Sequence, residues 1–322
     1  MFEGPIFIVG RPRSGTKLLR ELLNRHSQIS IPFWESAFIT DYVEKARLLG
    51  RLDSHEVLES LIDCLSKTEF YREITGEKGF PQLSKDLWLS SISDLSYAGV
   101  VAALFKLYAA LDGKRIWGDK YPHYMLHMPL LKELFPGAKF IHIIRDVRDN
   151  CLSNMKTWGK QPLRSAQLWV DGIIKCRQDA SHFAEDYYEL RYESLLREPS
   201  SELRQLCSFL GVEYEETMTS LERPAENLGD TRNAAHIVGS NMDKWRSEFS
   251  PDVVKQIEEI SFELMRELGY SILYANRQSQ LTPAQLLFFK VVDAWRRFRF
   301  DCSDQGGLSN ALVYQYRKRR FG

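Results

Sequence analysis

The run Gly10-Arg11-Pro12-Arg13-Ser14-Gly15-Thr16-Lys17-Leu18-Leu19 constrains this chain more than any other segment. Before it stand Ile6 to Val9, β-branched and aromatic residues that predict a short buried strand entering a tight turn. After it, Leu18, Leu19, Leu22 and Leu23 recur at helical spacing and predict a helix from about Thr16 to Asn24. Strand, glycine-bounded turn and helix together form the opening unit of a doubly wound parallel sheet. Such a turn exposes unpaired backbone N–H groups at the positive end of the helix, which suits an anion. Gly15 lets the backbone come close to that anion, Ser14 and Thr16 offer hydroxyl donors, and Arg11, Arg13 and Lys17 supply charge. The order Gly15-Thr16-Lys17 reverses the Gly-Lys-Ser/Thr of a Walker A loop, so that motif is absent.

Charge makes the anion site a local matter. Lys plus Arg and Asp plus Glu are each 43, so the overall balance implies neither a nucleic-acid nor a membrane partner. The 322 residues, 44% hydrophobic and 27% charged, can bury a core without staples. Five cysteines without a Cys-x-x-Cys pair argue against zinc and against a disulfide framework, and predict reduced thiols in a cytoplasmic setting. The start Met-Phe-Glu-Gly-Pro lacks the basic and long apolar regions of a signal peptide, and no apolar run is long enough to span a membrane.

Further along, residues 36–112 read as amphipathic helices forming a substrate-facing insertion. Arg115 to Gly118 predicts a short strand, Met125 to Phe135 a helix, and Lys139 to Ile144 the clearest buried strand. Helices are expected at 148–157, 165–185, 199–210 and 251–268, with a strand at 187–192. From Thr282 to Arg299 a last helix places Leu286, Phe289, Val292 and Trp295 on one face. The expected organisation is one domain over 1–275 and a helical extension over 276–322 ending in the basic run Arg317 to Arg320.

Pro12-Arg13-Ser14-Gly15-Thr16 after an apolar strand resembles the 5′-phosphosulfate loop of sulfotransferases that use 3′-phosphoadenosine-5′-phosphosulfate (PAPS). The Arg before Ser-Gly-Thr is similar to the protein-tyrosine and bacterial members. Lys17 departs from the Thr or Ser usual there. The run Lys139 to Met155 resembles the family's 3′-phosphate motif, in which the strand-end Arg145 and Ser153, eight residues later, bind that phosphate. Arg191-Tyr192-Glu193-Ser194-Leu195 resembles an element whose Tyr lies near adenine. Asn241 to Arg246 resembles a late segment whose basic residues close over the nucleotide, here Lys244, Trp245 and Arg246, with Arg232 upstream as a further candidate. The resemblance spans residues 5–270 and implies a P-loop-like doubly wound parallel sheet flanked by helices.

Sulfonate transfer is an in-line displacement at sulfur, so catalysis rests on positioning, electrostatics and a base for the acceptor hydroxyl. Side-chain cations suffice for it without a metal. Glu35, in Pro32-Phe33-Trp34-Glu35, is the expected base, set among apolar neighbours just past the first helix and turn. Tyrosine and heparan sulfotransferases place a catalytic Glu at a similar distance from the loop. Lys120, at a predicted strand end, resembles the Lys-x-Pro lysine that steadies the leaving group, with Arg13 assisting. His123 is a reserve base. The pair His123 and His127 lacks the Glu and third ligand of a metal site. The expected acceptor is a hydroxyl on a carbohydrate, lipid, peptide or small molecule. A P-loop kinase or NTPase and a non-catalytic nucleotide-binding module are the competing classes.

Overall fold

The computed structural model describes residues 2–50, 52 and 54–304. Their centre is β1 (Ile6–Val9), a fully buried strand whose alternation divides two cores. Phe7 and Val9 pack into an aromatic-rich cluster under the insertion, while Ile6 and Ile8 face a cluster built on the following helix. A strand buried on both faces needs no polar side, so its sequence is continuously apolar.

Helix α1 (Thr16–Asn24) follows the turn, and β2 (Ile29–Ser30) comes next. The insertion holds α2 (Phe38–Asp41), α3 (Val43–Leu49), α4 (His55–Leu65), α5 (Glu69–Ile74), α6 (Lys85–Ser91) and α7 (Tyr97–Leu111). Then come β3 (Ile116–Lys120), α8 (Met128–Leu134), β4 (Lys139–Ile144), α9 (Val147–Trp158) and α10 (Pro162–Ala180). The chain continues with β5 (Tyr187–Arg191), α11 (Tyr192–Arg197), α12 (Pro199–Leu210), α13 (Trp245–Glu248), α14 (Pro251–Glu267) and α15 (Pro283–Asp304). All strands are parallel in the order β2-β3-β1-β4-β5. The chain leaves β1 toward β3 and later returns to pair β4 on its other side, so the carboxyl ends of β1 and β4 flank a topological switch point.

The expected doubly wound parallel sheet with helical insertion and extension is therefore present, with differences of physical origin. β2 was not anticipated, because two residues are too few to show a period. β3 runs past Gly118 to Lys120, and its last two residues are buried and charged. The helix expected over 125–135 is split into a turn at Pro122–Leu126 and α8, because Pro129 lacks the N–H that would continue a helix into it. α10 starts earlier, at Pro162, and closes at Ala180 rather than Glu185, where the Phe183 N–H bonds the Ala180 carbonyl. In α15, Leu286, Phe289 and Val292 are half-buried as expected, but Trp295 is exposed. Nine residues at 100° each carry Trp295 about half a turn from Leu286. The basic run Arg317 to Arg320 lies outside the described residues.

A third core cluster joins Ile144, Val147 and Trp169 to Ile257 and Met265, tying α9 and α10 to α14. Cys64, Cys151, Cys176 and Cys207 are unpaired thiols, three of them buried. Among the described residues no helix is long and apolar enough to cross a membrane.

Candidate functional site

The turn after β1 is held in shape from α9. Asn150, fully buried, donates to the Pro12 carbonyl at 3.0 Å and to Ser14 Oγ at 3.1 Å. The turn needs the support, because Arg13 has a left-handed φ of 72° that costs a side chain-bearing residue energy. Gly15 also lies in that region, at 97°, and a Cβ there would sit 2.3 Å from the Tyr192 ring. The glycine therefore lets the loop lie against Tyr192, the first residue of α11. Ser14 and Thr16 are buried at the start of α1.

β4 delivers Arg145 to the same place. Its Nη1 donates to the Arg13 carbonyl at 3.2 Å, its Nη2 to the Asn241 carbonyl at 3.1 Å, and its guanidinium lies 4.8 Å from the Tyr192 ring centre. Burial raises the Tyr192 phenol's pKa, and its oxygen accepts from Asn241 Nδ2 at 2.8 Å. Arg13 Nε donates to Ser153 Oγ at 3.1 Å, which joins the turn to α9.

These residues border a cleft with two bays that share Arg13, Arg145, Thr231 and Asn241. One bay is mostly apolar, walled by Gly15, Leu18, Tyr192, Leu221, Ala225 and Val238. The other is polar, with Ser153, Lys156, Thr157 and Lys244 beside Asp149 and Asp230. Arg145 Nε and Thr157 Oγ1 are buried there without hydrogen bonds among the described residues. Two donors left over beside a cation fit an anionic group of a ligand.

The covering segment over 221–242 reaches the cations of the turn. Glu226 Oε2 lies 3.1 Å from Arg13 Nη1 and 3.7 Å from Lys17 Nζ. Lys17 donates to Asn227 Oδ1 at 3.0 Å and Arg13 Nη2 to the Leu228 carbonyl at 3.0 Å. Neither Asn150 nor Glu226 was anticipated as a site residue. Asn150 lies inside the Arg145-to-Ser153 motif, whereas Glu226 stands in a stretch without periodicity and carries no sequence signal.

Glu35 and Lys120 meet directly. Lys120, buried at the end of β3, donates to Glu35 Oε1. Burial lowers the ammonium's pKa to about 8, while the Glu35 charge works against the shift. Glu35 is exposed and ion-paired, a correction to the apolar surroundings expected for it. Its loop is clamped on both sides. Ser36 donates to Asp119, which burial raises to about 6, and Ser36 also bonds the Tyr124 hydroxyl at 2.6 Å. Arg20 donates to the Phe33 carbonyl, and the Phe33 ring lies between the guanidiniums of Arg20 and Arg223 at 4.4 and 4.9 Å. His123 lies against the Tyr121 ring, at 5.4 Å between ring centres, and desolvation first, then Arg11, lowers its pKa while Glu35 pulls the other way.

Some expected ligands point elsewhere. Arg11 runs along α10, close to Gly172, and lines neither bay. Trp245 is buried between the guanidiniums of Arg148 and Arg246 at 3.8 and 4.5 Å, and Arg246 pairs with Asp243, so only Lys244 of that trio borders the cleft. Arg232 is exposed and lines neither bay. Arg13 bonds Ser153, so it does not join the Glu35–Lys120 pair.

A model of the sulfotransferase family matches residues 5–216. The chain is 27% identical over 249 residues to an omega-hydroxy-beta-dihydromenaquinone-9 sulfotransferase of Mycobacterium bovis, covering 65% of this chain and 63% of that protein. It is 21% identical over 309 residues to protein-tyrosine sulfotransferase A of Caenorhabditis elegans, covering 89% of this chain and 72% of that one. Among solved structures, the sulfotransferase domain from the curacin biosynthetic pathway superposes with a TM-score of 0.57 at 22% identity, over 84% of this chain and 99% of that domain.

Proposed function

The chain belongs to the sulfotransferase family, and from that premise we propose that it moves a sulfonate group from PAPS to an acceptor hydroxyl, with residues 1–275 as the catalytic unit. The observation that carries the donor is the polar bay. Arg145 and Ser153 stand beside it at the spacing of a 3′-phosphate motif, and its two unbonded donors suit a phosphate that AMP or ATP lacks. The apolar bay against Tyr192 suits a purine ring, and the turn at Gly10 to Thr16 suits the 5′-phosphosulfate.

When bound, PAPS supplies an activated sulfonyl group on a phosphate leaving group. The chain's own residues then have separable tasks. Glu35 takes the acceptor's proton, and its clamped loop limits the geometries it samples. Lys120, while protonated, meets the charge that develops on the bridging oxygen. Arg13 and Lys17 neutralise the phosphates once Glu226 has yielded them. The acceptor is a hydroxyl of the kind named for the relatives, a protein tyrosine or an omega-hydroxy lipid, and the insertion over 36–112 selects it. Buried free thiols at Cys151, Cys176 and Cys207 support a cytoplasmic setting.

The test is nucleotide preference. Adenosine-3′,5′-bisphosphate without magnesium should raise the melting temperature well beyond the shift given by AMP or ATP. Arg145→Ala should erase that preference through loss of a charged hydrogen bond, about 1.5–3 kcal/mol. Equal shifts with AMP and the bisphosphate would refute the donor, and a larger one with magnesium-ATP would favour a kinase.

A further inference from the structure

The loop that carries Glu35 is held to β3 by a second contact one residue further on. Lys120 donates to Glu35, and Asp119, its neighbour on the strand, accepts from the Ser36 hydroxyl. Ser36 Oγ also lies 2.6 Å from the Tyr124 hydroxyl. Tyr124 is fully buried and packs edge-on against Phe7 of β1 and against Tyr121, with ring centres 5.6 and 5.0 Å away. The loop is thus fastened both to the sheet and to the aromatic core. Ala37, the next residue, has a φ of 32°, a conformation that a residue with a side chain holds only where its surroundings impose it.

Asp119 holds that serine at an energetic cost. It is fully buried, and its Oδ1 has no hydrogen-bond partner among the described residues. Burial raises its carboxyl to about 6; the hydrogen bond from Ser36, the Lys120 charge and the Tyr124 hydroxyl oppose the rise, and Glu35 adds to it. An asparagine of the same shape would bury no charge. What only a carboxylate does is accept without donating. It fixes the direction of the Ser36 O–H, which leaves the Tyr124 hydroxyl to donate to Ser36 Oγ, so the group has one arrangement rather than two. We propose that Asp119 is a positioning residue for sulfonate transfer, acting through Ser36 to hold Glu35 against Lys120. This rests on the roles proposed above for Glu35 and Lys120. The strand meets the loop at two successive residues, which fixes where the exposed Glu35 carboxylate points.

Ser36→Ala removes the hydroxyl and changes no charge, so it isolates the contact. Lys120 is faced by Glu35, which raises its pKa, by Arg20 and Lys17 from α1, which lower it, and by Asp119 beside it on β3. In NMR titration of the lysine side chains, its midpoint near pH 8 should fall by roughly one pH unit in Ser36→Ala, because Glu35 leaves the contact. Glu35→Gln should lower it too, and Ser36→Ala added to Glu35→Gln should lower it no further. Asp119→Asn should lower it at least as far as Ser36→Ala. Release of the bisphosphate from saturating PAPS should fall roughly ten- to hundredfold in Ser36→Ala and in Asp119→Asn, with the donor KM unchanged. An unaltered melting shift with adenosine-3′,5′-bisphosphate reports an intact nucleotide site. If Ser36→Ala loses that shift, Tyr124→Phe, which also changes no charge, replaces it in the same comparison. An unchanged Lys120 titration, or a further fall in the double variant, overturns the proposal. So does a shifted titration with full turnover, because the contact then has no part in the reaction. A wild type that neither binds the bisphosphate nor consumes PAPS overturns the donor reading and this proposal with it, whereas failure here alone leaves donor binding intact.

Discussion

At the scale of single residues, the Glu35–Lys120 pair has the most specific consequences. Lys120 is useful to a leaving oxygen only as a cation, and burial has brought its pKa down to about 8. Turnover should therefore fall as pH rises through about 8, when the ammonium loses its proton. Glu35 works to hold that proton in place, so Glu35→Gln should shift the alkaline limb to lower pH. It should also cost roughly 10²-fold in turnover while leaving bisphosphate binding intact, the usual weight of a general base. Single-turnover rates across pH would measure both effects. Normal turnover in Glu35→Gln would transfer the base to His123, the reserve candidate. The two residues were legible separately, each from its own short motif. Their contact was not, because 85 residues of insertion and strand separate them and only the sheet brings them together.

At the scale of elements, the strand–turn–helix unit and the covering segment behave oppositely. The first is local: apolar strand, glycine turn and leucine-spaced helix are neighbours in sequence, so their pattern announces them. The second, over 221–242, has almost no regular hydrogen bonding of its own, and it takes its shape from what it touches. Its Glu226 places a carboxylate on Arg13 and Lys17, the cations expected to receive phosphate. On the proposed function an incoming nucleotide displaces that carboxylate. Glu226→Gln should therefore tighten adenosine-3′,5′-bisphosphate binding by about three- to tenfold, the weight of a partly exposed ion pair near 1 kcal/mol. Calorimetric titration would read the change. Weaker binding in the variant would mean that Glu226 holds the segment in its nucleotide-receiving shape.

At the scale of the whole molecule, the C-terminal helices hold to the sheet through a buried ion pair. Arg148 on α9 donates to Glu258 on α14 at 2.7 Å, and both are almost wholly buried. Asp146 shares Arg148, while Glu258 also accepts from the backbone N–H groups of Leu273, Tyr274 and Ala275. Removing one partner leaves a buried charge uncompensated, so Glu258→Ala should cost about 3–5 kcal/mol in urea unfolding. A loss below about 1 kcal/mol would mean that Asp146 alone suffices for Arg148. By itself the sequence determined the fold class and the strand–turn–helix unit, and it marked Arg145 with Ser153 and Glu35 with Lys120 as candidates, because each is written in a short contiguous pattern of apolar period, glycine and charge. The tertiary structure alone decided that Glu35 rests on Lys120, that Asn150 braces the turn, that Glu226 pairs with Arg13 and Lys17, and that Trp245 is buried between two arginines. Those facts depend on which segments the sheet order makes neighbours. Hydrophobic period describes a residue's side of its own element and carries no information about what the chain folds against it.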